Sequence, residues 1–134
     1  MVATRLARVF DGRDARGRPV LGPDRPPLAG EERTLVVGFL DDGVILLAGG
    51  SHVADELDPR SPLVVPVGYA TDGTWIWSAL LRYYVAQHGI SPEPAFLAHM
   101  RAADYRAGVP SKQAIERAGL ELEEHFRRAA ELEP

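Results

Sequence analysis

Alternating and clustered apolar positions divide the chain into a strand-rich first half and a helical second half. Thr4–Phe10 alternates well enough for a first strand. Asp11–Gly30 is rich in Gly, Pro, Arg and Asp and reads as a loop, with one short extended piece at Pro19–Leu21. Arg33–Leu40 and Val44–Ala48 flank Asp41-Asp42-Gly43. Apolar β-formers around Asp-Gly predict a hairpin. Val44-Ile45-Leu46-Leu47 is apolar on both faces, which predicts a central, covered strand ended by Gly49-Gly50. Ser51–Pro62 is polar and acidic, a loop or a single helical turn. Leu63–Ala70 is a further strand, with Pro66 marking an edge or a bulge. Asp72-Gly73 makes a second turn, after which Thr74–Trp77 either pairs back or leads directly into a helix.

Three helices are predicted after that. The first spans Ser78–His88, with Ser78 as N-cap and Gly89 as the stop. Its stripe is Leu80, Leu81, Tyr84, Val85 and His88. The second starts at Ser91-Pro92 and buries Phe96, Leu97 and Met100. The third follows Pro110, capped by Ser111. Ile115, Ala118, Leu122, Phe126 and Ala129 form its narrow seam, and Gly119 permits a close approach. The expected architecture is a single α+β domain over residues 1–134. An antiparallel, meander-like sheet of four or five strands packs on three C-terminal helices.

Composition agrees with a globular chain: 134 residues, 46% hydrophobic and 25% charged. No apolar run approaches the roughly 18 residues of a membrane span. Met1–Phe10 lacks the apolar block of an export signal. The absence of cysteine excludes disulfides, thiol catalysis and thiolate metal sites. A cytoplasmic location is therefore expected. Net charge is −4, and the basic excess is confined to residues 1–33. An acidic body disfavours nucleic acid and favours a basic partner. Fourteen arginines stand against the single Lys112, a bias that suggests a GC-rich coding sequence.

Motifs for chemistry are scarce. His52, His88, His99 and His125 form no His-x-x-x-His pair, and His88 reads as a helix-terminal histidine. Gly49-Gly50-Ser51-His52 is not a Gly-x-Ser-x-Gly elbow. No glycine-rich phosphate loop is present, so no cofactor and no metal are expected. Ser111–Gly119 faintly suggests a recognition helix, but its surroundings are acidic. Asp42 and Asp72 are explained as turn residues. Asp41, Asp55, Glu56 and Asp58 remain as loop acids able to cluster. Trp75 and Trp77 are either both core, or one is half exposed beside Tyr69 and Tyr83 as an aromatic ledge. Tryptophan and tyrosine commonly anchor protein interfaces.

The segment Tyr69-x-Thr71-Asp72-Gly73-x-Trp75-x-Trp77, continuing to Tyr83-Tyr84 and His88-Gly89, resembles a group of small actinobacterial proteins. Some of that group act as immunity proteins beside polymorphic toxins. The resemblance covers about residues 60–106 and carries over no catalytic residue. It implies a stoichiometric role without chemistry: binding a cognate toxin. The expected face combines Asp41, Asp55, Glu56 and Asp58 with Tyr69, Trp75 and Tyr83. Two other readings remain open. One is a small enzyme or ligand binder using carboxylates and a histidine at the sheet edge. The other is an oligomerisation module pairing the last helix across a homodimer axis.

Overall fold

The computed structural model describes residues 4–132. The first three residues of the segment read for an export signal lie outside them. In chain order the described elements are β1 (Arg5–Leu6), β2 (Gly12–Arg13), β3 (Pro19–Val20), α1 (Gly30–Asp41), β4 (Val44–Ala54) and β5 (Leu63–Thr71). They continue with β6 (Trp75–Ser78), α2 (Ala79–His88), α3 (Pro94–Ala102) and α4 (Lys112–Leu132). The class is α+β, as expected, but the sheet is not an antiparallel meander. Its order is β1-β6-β5-β4, with β1 parallel to β6 and the other pairs antiparallel. β2 and β3 form a separate small hairpin inside the predicted loop.

The helix count is four among the described residues, because Arg33–Leu40 is helix and not strand. Thr34, Val36 and Val37 favour extended backbone locally, but Val36, Phe39 and Leu40 recur at helical steps and are all buried. Burying that stripe outweighs a propensity difference of a few tenths of a kcal/mol per residue. Glu31 and Glu32 in the first turn also complement the helix dipole. The hairpin signal at Asp42-Gly43 has another cause. A Cβ on Gly43 would overlap the Trp77 ring, so glycine is there for close approach.

The covered central strand is β6, not Val44–Leu47. All four of its residues are buried. Trp75 and Trp77 join the cluster formed with α1, α2 and α3, while Ile76 joins Ala118 and Leu122 of α4. The alternation along one strand thus feeds two cores on opposite faces of the sheet. Phe96 lies at the middle of the larger one. Its ring stacks on Trp75 at 4.8 Å and sits 5.6 Å from Trp77 and 6.0 Å from Phe39. The Trp77 indole nitrogen donates to the Leu40 carbonyl at 3.1 Å, so its one polar atom is satisfied in the core.

The β6–α2 junction follows the sequence reading. Ser78 caps α2 by accepting from the Leu80 amide at 3.1 Å, and Gly89 closes it with a left-handed φ of 68°. Ser111 caps α4 through the Ala114 amide. Ser91, in contrast, does not cap α3: the N-cap is Glu93. Nothing approaches Gly119, so a close helix contact there is not its explanation.

Candidate functional site

β4 does not stop at Gly49-Gly50. It runs on to Ala54 and pairs with β5, while β5 pairs with β6 only over Tyr69–Thr71. β4 and β5 therefore form a two-stranded ribbon whose distal part extends past β6. Pro66 is tolerated because β6 is not paired there and because the β4–β5 register shifts between Ala48 and His52.

The expected acidic face does not assemble as one surface. Asp41 forms a two-pronged ion pair with Arg82 of α2, at 2.9 and 3.1 Å. Glu56 does the same with Arg13 of β2, at 2.7 and 3.1 Å. Asp58 stays exposed and accepts from the Arg60 amide within its own turn. Asp55 is only 3% exposed and points inward. It accepts from the Leu57 amide at 2.8 Å and the Tyr83 hydroxyl at 3.0 Å, and lies 2.5 Å from His88 Nε2. Burial by itself would raise the Asp55 pKa. Hydrogen bonds from His88, Leu57 and Tyr83 outweigh it and hold the carboxyl below its ordinary value. The Tyr84 hydroxyl accepts from the Glu56 amide at 2.8 Å. Asp55 and its neighbours thus fasten the ribbon's end to α2. The carboxylate is removed from any partner's reach.

Of the two expectations for Trp75 and Trp77, the structure shows both as core and no half-exposed ledge beside Tyr69 and Tyr83. Trp75 is 3% exposed and belongs to the core, with the Arg5 guanidinium 4.3 Å from its ring centroid. Tyr83 is committed to Asp55. Tyr69 faces α4, its ring edge-on to Phe126 at 5.4 Å, and partial burial raises its hydroxyl pKa.

The sequence predicts no histidine beside a carboxylate at metal-ligand spacing on a clear helix face, but the fold creates two histidine–aspartate pairs. His88 meets Asp55, and His99 Nε2 lies 2.6 Å from Asp72 Oδ2. The partners are 33 and 27 residues apart, so no local spacing could reveal them. Asp72 also accepts from the Thr74 and Trp75 amides, tying the β5–β6 turn to α3. Among the described residues neither imidazole has a serine or threonine hydroxyl as a hydrogen-bond partner. A nucleophile–base relay therefore lacks its nucleophile at both pairs. No trio of histidine, aspartate and glutamate side chains is arranged to hold a metal ion among the described residues.

The apolar surface is concentrated on the ribbon. Among the described residues, six of the twelve exposed large apolar side chains lie between 45 and 64: Ile45, Leu47, Val53, Leu57, Leu63 and Val64. Ile45 is 70% exposed. Beside it lies a cleft of about 310 Å³ between the ribbon, the end of α1 and the start of α2. Leu40, Ile45, Leu47, Val67 and Trp77 line it, with the Asp41–Arg82 pair also in its wall. The volume suits one large apolar side chain framed by a charged pair. No protein-family model, curated protein or solved structure matches the chain.

A larger cleft of about 480 Å³ opens where the chain leaves β1, bordered by Arg8, Phe10, Tyr69 and His125. Its one cation is already engaged, because Arg8 contacts Asp11 and Glu93. Negative charge and exposed apolar surface coincide in the segment from the start of β4 to the start of β5. Residues 41–64 hold five acids and one arginine, a net charge equal to that of the entire chain.

Proposed function

We propose that this domain is a non-catalytic protein-binding module whose binding element is the β4–β5 ribbon with its adjoining cleft. The observation that carries this reading is the coincidence of exposed apolar residues, a free strand edge and local negative charge in one segment. Exposed apolar patches rimmed by polar groups mark interaction sites. Local negative charge selects a partner of opposite sign and accelerates its encounter. The two histidine–aspartate pairs fit a binding protein because their carboxylates already serve main-chain amides that hold turns in place.

The resemblance of Tyr69–Gly89 to a group of small actinobacterial proteins, some of them immunity proteins, gives the binding role a biological form: stoichiometric neutralisation of a cognate, basic toxin. The partner face differs from the one read in the sequence. Ile45, Leu47 and the cleft replace Trp75 and Tyr83 as apolar anchors, and Asp42 and Asp58 replace Asp55 as accessible acids. No described helix is long and apolar enough to cross a membrane. A cytoplasmic location is part of the proposal.

The test is capture from the native host with tagged protein, followed by mass spectrometry of retained chains. One basic partner at near-equal stoichiometry, lost after Asp42→Arg with Asp58→Arg, is the expected result. Retention undiminished by that double reversal would remove the acidic ribbon from the interface.

A further inference from the structure

The free side of β4 suggests how a partner engages. β4 is the sheet's edge strand, and among the described residues no other segment pairs with its outer side. Val44–Ala54 contains no charged residue and no proline, two devices that commonly protect an edge. A third device is present. The register against β5 shifts between Ile45 and Leu47, between Ala48 and His52, and between Val53 and Ala54. Such irregularities deny a long flat template and leave short stretches for pairing. The proximal stretch, Val44–Ala48, carries the first of these shifts at its middle, supplies the exposed Ile45 and Leu47 and borders the cleft.

We propose that Val44–Ala48 is a docking edge. It receives one extended segment of a partner protein, apolar at alternate residues and basic at the end that meets Asp42. The proposal rests on the binding reading above and adds its mode. Main-chain hydrogen bonds to β4 would provide affinity. An alternate apolar side chain seated between Leu40, Leu47 and Trp77 would provide selectivity. Charge decides the occupant. Asp41 is held by Arg82, Glu56 by Arg13, and Asp55 is buried, so the accessible acid beside Val44–Ala48 is the exposed Asp42 that precedes the strand. A second copy pairing antiparallel across Val44–Ala48 would set Gly50, not a cation, beside Asp42, whereas a segment with a basic end meets that acid.

The probes are acetylated, amidated peptides of about seven residues that alternate valine and threonine, sized to the pairing stretch. One has arginine at both ends. A second has glutamate there. A third keeps the arginines but is N-methylated at alternate amides. Amide chemical shifts and hydrogen exchange of the full protein are read during titration. The arginine peptide should shift and protect amides within Val44–Ala48. The glutamate peptide should bind more weakly, with a gap that narrows as salt rises. N-methylation should weaken binding by roughly tenfold or more, because two or more main-chain hydrogen bonds are lost.

No perturbation at Val44–Ala48 would overturn the proposal. Equal binding by the N-methylated peptide would do the same, as would a dimer through β4 in the peptide-free protein. The underlying reading is separable from it. If a host partner is captured and lost in the Asp42→Arg/Asp58→Arg variant while no peptide touches β4, the binding role stands and strand addition falls.

Discussion

Two apolar strands of this chain meet opposite fates. Trp75-Ile76-Trp77 in β6 is buried on both faces, whereas Ile45 and Leu47 in β4 face solvent. Hydrophobicity does not separate them: Val44-Ile45-Leu46-Leu47 is as apolar a run as any in the chain. Coverage does. β6 has β1 and β5 on its two edges and helices on its two faces, while β4 is at the edge with a strand on one side only. An apolar run thus becomes core only when neighbours arrive on both sides. One left open costs solubility and points to a binding role.

The comparison breaks first at Trp77. Trp77→Ala empties the space between Phe39 and Phe96 and leaves the Leu40 carbonyl without its donor. A loss of about 3–5 kcal/mol is expected in chemical denaturation. A loss under about 1 kcal/mol would mean that β6 does not organise the core. Gly43→Ala comes next. Its methyl overlaps the Trp77 ring, and a cost of about 1–3 kcal/mol is expected. A neutral result would restore the simple Asp-Gly turn as the reason for that glycine.

Acid sharpens the comparison from the helical side. Hydrogen bonds from Arg101 and Tyr105 hold the Glu32 carboxyl at about 2, against an ordinary 4.5, with burial opposing them. A depressed carboxylate stabilises the fold above its unfolded pKa, and that contribution fades as pH falls from about 4.5 towards about 2. Glu32→Gln should flatten this limb of the stability profile. An unchanged limb would assign acid sensitivity to other carboxylates. The smallest effect belongs to the ribbon: Ile45→Ser should alter stability by no more than about 0.5 kcal/mol.

The legible part of the fold is the part with local punctuation. Ser78, Gly89, Ser111 and the Asp72-Gly73 turn act on neighbours a few residues away, so α2, α4 and the β5–β6 connection could be read directly. α1 could not, because Thr34, Val36 and Val37 carry strand propensity and only packing against Trp77 and Phe96 decides for helix. The central strand was misplaced for a related reason. β6 is short, and what buries it comes from both ends of the chain. The candidate site was harder still. Asp55 sits in a polar loop that reads as exposed, yet Tyr83 and His88 arrive from about 30 residues downstream to bury it. The apolar residues of the ribbon were visible, but the open edge beside them depends on strand order, which pairwise turn signals do not encode.

The central claim is that the ribbon's exposed apolar residues serve a partner and not the fold. Replacing Ile45 and Leu47 together by aspartate, then measuring denaturation and partner capture on the same preparation, tests it most directly. Stability within about 1 kcal/mol of the parent, with the captured partner gone, is the predicted result. A variant that unfolds, or that retains its partner in full, would contradict it.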